Sequence, residues 1–232
     1  MLHSSIQPFR RRFVHIISVL VPAAAVLTAG DAVWKSKPIS QWTADEARQV
    51  LAESPWAKPT RIAILPKLSE DQLREGGRMG GGNTRFALRP SAEPDLAATR
   101  KAGVTVRWES ALPIRAAELK SGDTTAPVWD GDYYAIAVDG IPGVTPVAQK
   151  ALRGELKQTT YLRRSDKKTL RPERVDILIS GTDVARIVYL FSRSAELTGS
   201  DARVQFVTQV GRVVVNQSFD LGEMQLQGKL EL

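Results

Sequence analysis

Cysteine is absent from this 232-residue chain, and its two histidines, His3 and His15, both fall near the N-terminus. Beyond residue 15 there is therefore no imidazole base, no thiolate nucleophile and no usual zinc ligand. Disulfides are excluded as well, so a core of roughly 200 residues must hold together by packing alone, a length that suffices for one self-supporting domain. A lipid anchor on cysteine is excluded for the same reason. Acidic side chains are missing before Asp31, and aromatic residues make up only 6% of the chain.

The acid-free start carries a basic cluster, Arg10-Arg11-Arg12, and then an apolar run from Phe13 to Leu27 broken only by His15 and Ser18. Small residues follow at Thr28, Ala29, Gly30 and Ala32. A basic start, an apolar middle and a small-residue end are the order of a secretory signal, which predicts residues 1–32 as a signal peptide. Gly30 with Ala32 fits cleavage before Val33, and Thr28 with Gly30 fits cleavage before Asp31. The competing reading is an uncleaved anchor, since the apolar run lies near the lower length for a membrane span. Pro22 favours cleavage. Arg10-Arg11-Arg12-Phe13-Val14 also fits the core of a twin-arginine signal. The chain is thus expected to be exported, periplasmic or extracellular, and to meet a membrane only through this segment if it is kept.

Removing residues 1–30 takes away three arginines and no acid, so the formal charge of +7 falls to about +4. That is mild basicity, suited to weak attraction to anionic polymers and far from the charge of a dedicated nucleic-acid binder.

Thr43 and Glu46 have the spacing of a capping box and open a helix to about Glu53, with Ala47, Val50 and Leu51 on its apolar face. Ser54-Pro55 ends it. Trp34, Trp42 and Trp56 flank this helix; they read as anchors pinning it to the core, with a sugar-stacking platform as the alternative. A strand is expected over 60–65. Residues 66–103 lose periodicity and include Gly76-Gly77-Arg78-Met79-Gly80-Gly81-Gly82, which predicts a disordered glycine-rich insert. It lacks the lysine and hydroxyl of a phosphate-binding loop.

Strict alternation makes Val104, Val106 and Trp108 one face of a strand. A short helix is expected over 112–119, a strand over 133–138, and a second helix opening at Thr145-Pro146 with Val147, Ala148, Ala151, Leu152 and Leu156 as its stripe. Strands follow over 159–163, 169–171, 175–179 and 185–191, then a hairpin of 203–210 and 212–219 around Gly211. Leu226, Gly228, Leu230 and Leu232 alternate and predict a last strand paired into the sheet. The expected fold is α+β: a single domain over 33–232 with a mainly antiparallel sheet, two to three short helices and the flexible insert.

Chemistry has few candidates. Glu109 with Asp130 and Asp132 could supply paired carboxylates for a hydrolase, although Asp130-Gly131-Asp132 is ordinary turn chemistry. Calcium at Asp130 and Asp132 lacks further ligands. Ser165-Asp166-Lys167-Lys168 matches the serine–lysine nucleophile pattern without its companion motifs and lies in an expected turn. No metal or cofactor is implied. The densest charge lies in the same turn, where Arg163, Arg164, Lys167 and Lys168 could hold an anionic envelope polymer or protein partner. The alternative is a tip that keeps a sheet edge soluble. No aromatic residues interleave with these cations, which argues against nucleic acid.

Trp34-Lys35-x-Lys37-Pro38-x-x-x-Trp42-Thr43, Ser54-Pro55-Trp56-Ala57, Arg107-Trp108-Glu109-Ser110 and the ending Gly228-Lys229-Leu230-Glu231-Leu232 resemble a family of exported bacterial proteins of uncharacterised activity. The resemblance implies export and one domain with a flexible insert, and it assigns no catalytic or ligand residue. The expected function is that of a non-enzymatic binding or structural module of the bacterial envelope; the alternative is a carboxylate-dependent hydrolase.

Overall fold

The computed structural model describes residues 32–65, 100–123, 125–141, 149–180 and 183–232. The chain divides into two units, Met1–Gly30 and Asp31–Leu232, and every described residue belongs to the second. The expected signal, the glycine-rich run and the opening of the second helix at Thr145 lie outside the described residues.

The elements are α1 (Val33–Ser36), α2 (Ala44–Ala52), β1 (Ala57–Ile64), β2 (Arg100–Trp108), α3 (Leu112–Ser121), β3 (Tyr133–Asp139), α4 (Gln149–Thr159), β4 (Tyr161–Arg163), β5 (Thr169–Leu170), β6 (Arg174–Ser180), β7 (Asp183–Ser192), β8 (Arg203–Val210), β9 (Val213–Asp220), β10 (Gln225–Leu226) and β11 (Lys229–Leu230). Nine strands form one sheet in the order β5-β4-β8-β9-β1-β2-β3-β7-β6, with every pairing antiparallel. The α+β, mainly antiparallel expectation holds at this level.

Local chemistry explains the element ends. The Thr43 hydroxyl accepts from the Glu46 amide and the Glu46 carboxylate accepts from the Thr43 amide, completing the capping box of α2. Gly211, at φ 58°, makes the two-residue turn that lets β8 pair with β9 from Arg203 opposite Asp220 to Val210 opposite Val213. Gly140, at φ 76°, follows β3; a Cβ there would stand 2.6 Å from the Gly103 carbonyl oxygen, so only glycine fits.

The sheet curls. Four strands separate β7 from β8, so in a flat sheet they would lie roughly 24 Å apart at the usual strand spacing. Instead Tyr189 of β7 packs edge-on to Phe206 of β8 at 5.3 Å, and Thr208 Oγ1 donates to the Tyr189 hydroxyl at 2.9 Å. Trp108 of β2 meets Phe219 of β9 at 5.4 Å. Helix α4 packs against both β6 and β8 and so bridges the opening between the two ends of the curl. Burial holds the Tyr189 phenol protonated far above its ordinary range, while hydrogen bonds with Thr208 and Thr160 satisfy it.

Several expectations need correction. The described residues contain four α-helices, because α1 forms a single turn ahead of α2. Strand β2 starts at Arg100, inside the stretch expected to be insert, since pairing with β1 and β3 overrides its weak local pattern. The last residues do not join the main sheet: β10 and β11 pair only with each other. The chain end is anchored by side chains instead, with Trp56 Nε1 donating to the Glu231 carbonyl at 2.8 Å and Leu232 buried. Ala151 of α4 is exposed, whereas Leu156 is buried as expected.

Candidate functional site

The hairpin of β4 and β5 places the four candidate cations in two different situations. Arg164 forms a two-pronged pair with Asp201, Nε at 2.8 Å and Nη2 at 3.2 Å from its oxygens. Asp201 is 5% exposed and caps the short 3-10 turn Gly199–Asp201, so Arg164 is consumed in fixing the hairpin to the β8 side. Arg163 lies exposed over the ring of Tyr161, 5.1 Å from its centroid. Lys167 occupies the turn at φ 66°, exposed. Lys168 is exposed and reaches Asp166 at 3.1 Å. The backbone amide and then the ammonium of Lys168 hold the Asp166 carboxyl below its ordinary pKa. Ser165 Oγ donates to the carbonyls of Asp201 and Arg203, so the serine of the serine–lysine pattern is tied into the turn.

The three carboxylates considered for hydrolysis sit in three different environments. Asp130, 94% exposed, pairs with Arg174 at 2.9 Å, which lowers its pKa, the opposite of what a general acid needs. Asp132, 84% exposed, pairs with Arg193 at 2.9 Å and lies on the wall of a cleft of about 600 Å³ that also includes Tyr134, Glu196 and Thr198. Glu109 is fully buried.

Glu109 leads to a feature that sequence reasoning missed. Arg107 of β2 stands opposite Ala137 of β3, and Asp139 of β3 opposite Arg186 of β7. Strand alternation puts these charged residues on the same face as Ala135, Ala137, Val188 and Leu190, turned away from the main core. Glu118 of α3, and Asp123 and Thr125 just after it, reach Arg186 on this face. Arg186, 3% exposed, donates through Nη1 to Glu109 and Glu118 at 3.1 Å each, through Nη2 to Asp123 at 3.3 Å and through Nε to Asp139 at 2.7 Å. Arg107 adds a second cation against Asp139 and Asp123, and Arg115 pairs with Glu118 at 3.1 Å while lying over Trp129.

Three guanidiniums thus face four carboxyls. Burial, and next the adjoining Glu118 carboxyl, push the pKa of Glu109 well above the ordinary value. Its Oε2 has no hydrogen-bond partner among the described residues. Burial alone would lower the Arg186 pKa, but Glu109 and Asp139 hold it firmly charged. Desolvation opposes ionisation of Asp123, and the Thr125 hydroxyl and amide together with Arg186 outweigh it and lower its pKa. One raised carboxyl, Glu109, beside one lowered, Asp123, has the chemistry of acid–base machinery, yet Glu109 and Glu118 are 0% and 2% exposed. A substrate has no route to them, so the cluster is a structural lock between the sheet and α3. Its trace in the sequence is Arg186 within an otherwise apolar strand, Val184 to Phe191.

No family model, no curated protein and no solved structure matches this chain. Among the described residues no group of acids and histidines could hold a metal ion, and no helix is long and apolar enough to cross a membrane.

Proposed function

We propose that this chain is an exported, non-enzymatic binding module of the bacterial envelope that holds an anionic polymer or partner at the β4–β5 tip through Arg163, Lys167 and Lys168. The observation that carries the reading is the division of labour at the tip: Arg164 is locked on buried Asp201, and the other three cations are displayed to solvent on the hairpin it fixes. Rigid presentation lowers the ordering cost of binding, and neighbouring cations on one tip favour a polyanion over a single charge. Export and bacterial origin rest on the N-terminal signal pattern and the motif resemblance.

The test is co-sedimentation of the purified full chain with isolated bacterial envelope at low and high salt, beside a variant carrying Arg163→Ser, Lys167→Ser and Lys168→Ser. Salt-sensitive binding that this variant loses, at unchanged thermal stability, supports the tip. Equal binding of both proteins, or none, overturns it. Arg164 stays intact in the variant because its loss would break the Asp201 clamp and confuse binding with folding.

A further inference from the structure

Three tryptophans surround α2, and their environments differ. Trp42 is 4% exposed and donates its Nε1 to the Lys37 carbonyl; Trp56 is fully buried and donates to the Glu231 carbonyl. Both are core anchors with satisfied polar edges. Trp34 is only part-buried, its Nε1 has no acceptor among the described residues, and it lines a cleft of about 540 Å³. It stands edge-on to Trp56 with ring centroids 6.3 Å apart and planes at 83°, so a buried partner fixes the ring's orientation before any ligand arrives.

The rest of the wall is mixed. Lys35, Gln49, Glu53, Ser54, Lys58 and Glu223 line the cleft, and Ala52, Pro55 and the aliphatic stems of the long side chains add apolar surface between their polar heads. Hydrogen-bonding heads thus stand beside apolar stems and the Trp34 ring, a mixed lining that suits a ligand with many hydroxyls and one flat apolar face. Its two lysines and two glutamates cancel, and Lys58 and Glu223 approach to 3.7 Å. A phosphate or a uronic acid gains nothing from such a wall, whereas an uncharged ring with hydroxyls can both donate and accept all along it.

We propose that this cleft binds an uncharged saccharide, one ring face on the Trp34 indole and its hydroxyls on Gln49, Glu53, Lys58 and Glu223. The site is independent of the basic tip and survives or fails separately from it. Isothermal titration of the full chain with two uncharged probes, tri-N-acetylglucosamine and maltotriose, is the test, with trigalacturonate as the acidic control. The expected result is a Kd below about 1 mM for at least one uncharged probe. The affinity should be little changed between about 50 mM and about 500 mM NaCl, because no ion pair forms with the ligand. Trp34→Ala should weaken it at least about tenfold, and Gln49→Ala, on an exposed position of α2, several-fold, the range for losing a stacking face and one hydrogen-bonding side chain.

The proposal is overturned if neither uncharged probe binds below about 1 mM. It is also overturned if Trp34→Ala binds as well as the parent, or if binding is salt-sensitive and lost in the tip variant. Should Trp34→Ala fail to fold, Gln49→Ala and Glu223→Gln, both at exposed positions, decide the matter by the same criterion.

Discussion

Replacing Arg186 by methionine removes the cation that touches Glu109, Glu118, Asp123 and Asp139 and leaves a side chain of similar length in the same space. Asp139 keeps Arg107, Asp123 keeps Thr125 and partial exposure, and Glu118 keeps Arg115, so the loss is that of one buried ion partner and not of four. Breaking a buried pair by removing one member costs about 3–5 kcal/mol. For a domain of this size that lowers Tm by roughly 6–20 °C. Without the guanidinium, which lowers the pKa of both Asp123 and Glu109, these two folded-state pKa values rise, the folded variant binds more protons than the parent, and its deficit shrinks as pH falls. Urea unfolding followed by tryptophan fluorescence, at about pH 7 and again at about pH 4.5, measures both effects. A loss under about 1 kcal/mol near neutrality, or a loss undiminished in acid, would refute the lock.

Three further outcomes rest on the same physics. Glu109→Gln keeps the shape of the side chain without its titration; because the folded pKa of Glu109 lies above the unfolded one, the parent loses about 1.4 kcal/mol per pH unit between those two values and the variant does not, so urea midpoints should diverge in the variant's favour as pH rises. Deleting Lys229 to Leu232 removes the acceptor of Trp56 Nε1 and the buried Leu232 side chain, and should cost about 2–4 kcal/mol in thermal or chemical unfolding; an unchanged midpoint would show the chain end to be dispensable. Thr43→Ala removes half of the capping box and should cost about 1 kcal/mol, whereas Thr43→Ser should be near neutral by the same measurement.

Features governed by near neighbours along the chain are legible in the order of its residues. Thr43 and Glu46 cap α2 because both hydrogen bonds close within four residues. Gly211 turns β8 into β9 because a two-residue loop needs a positive φ, and the alternation of Val104, Val106 and Trp108 fixes which face of β2 is inside. The turn at Ser165 to Lys168 belongs to the same class of local determination. Features that depend on what lies across the fold are not legible in that way. Arg164 reads as one more surface cation until Asp201, far along the chain, is brought beneath it. The end of the chain alternates like a strand of the main sheet, yet β10 and β11 fold back on each other and Trp56 takes the Glu231 carbonyl.

The charged lock shows the division most clearly. The residue order determined that an arginine would sit inside the apolar strand β7, whose long run of large side chains demands burial on both faces. Only the pairing of β2, β3 and β7, and the placing of the end of α3 beside them, brought Arg107, Glu109, Glu118, Asp123 and Asp139 around that arginine and offset the cost of burying it. Local hydrogen bonding and side-chain periodicity act over a few residues and can be read in order along the chain. The partner of a buried charge or indole is chosen by the curl of the sheet, and no local pattern encodes it.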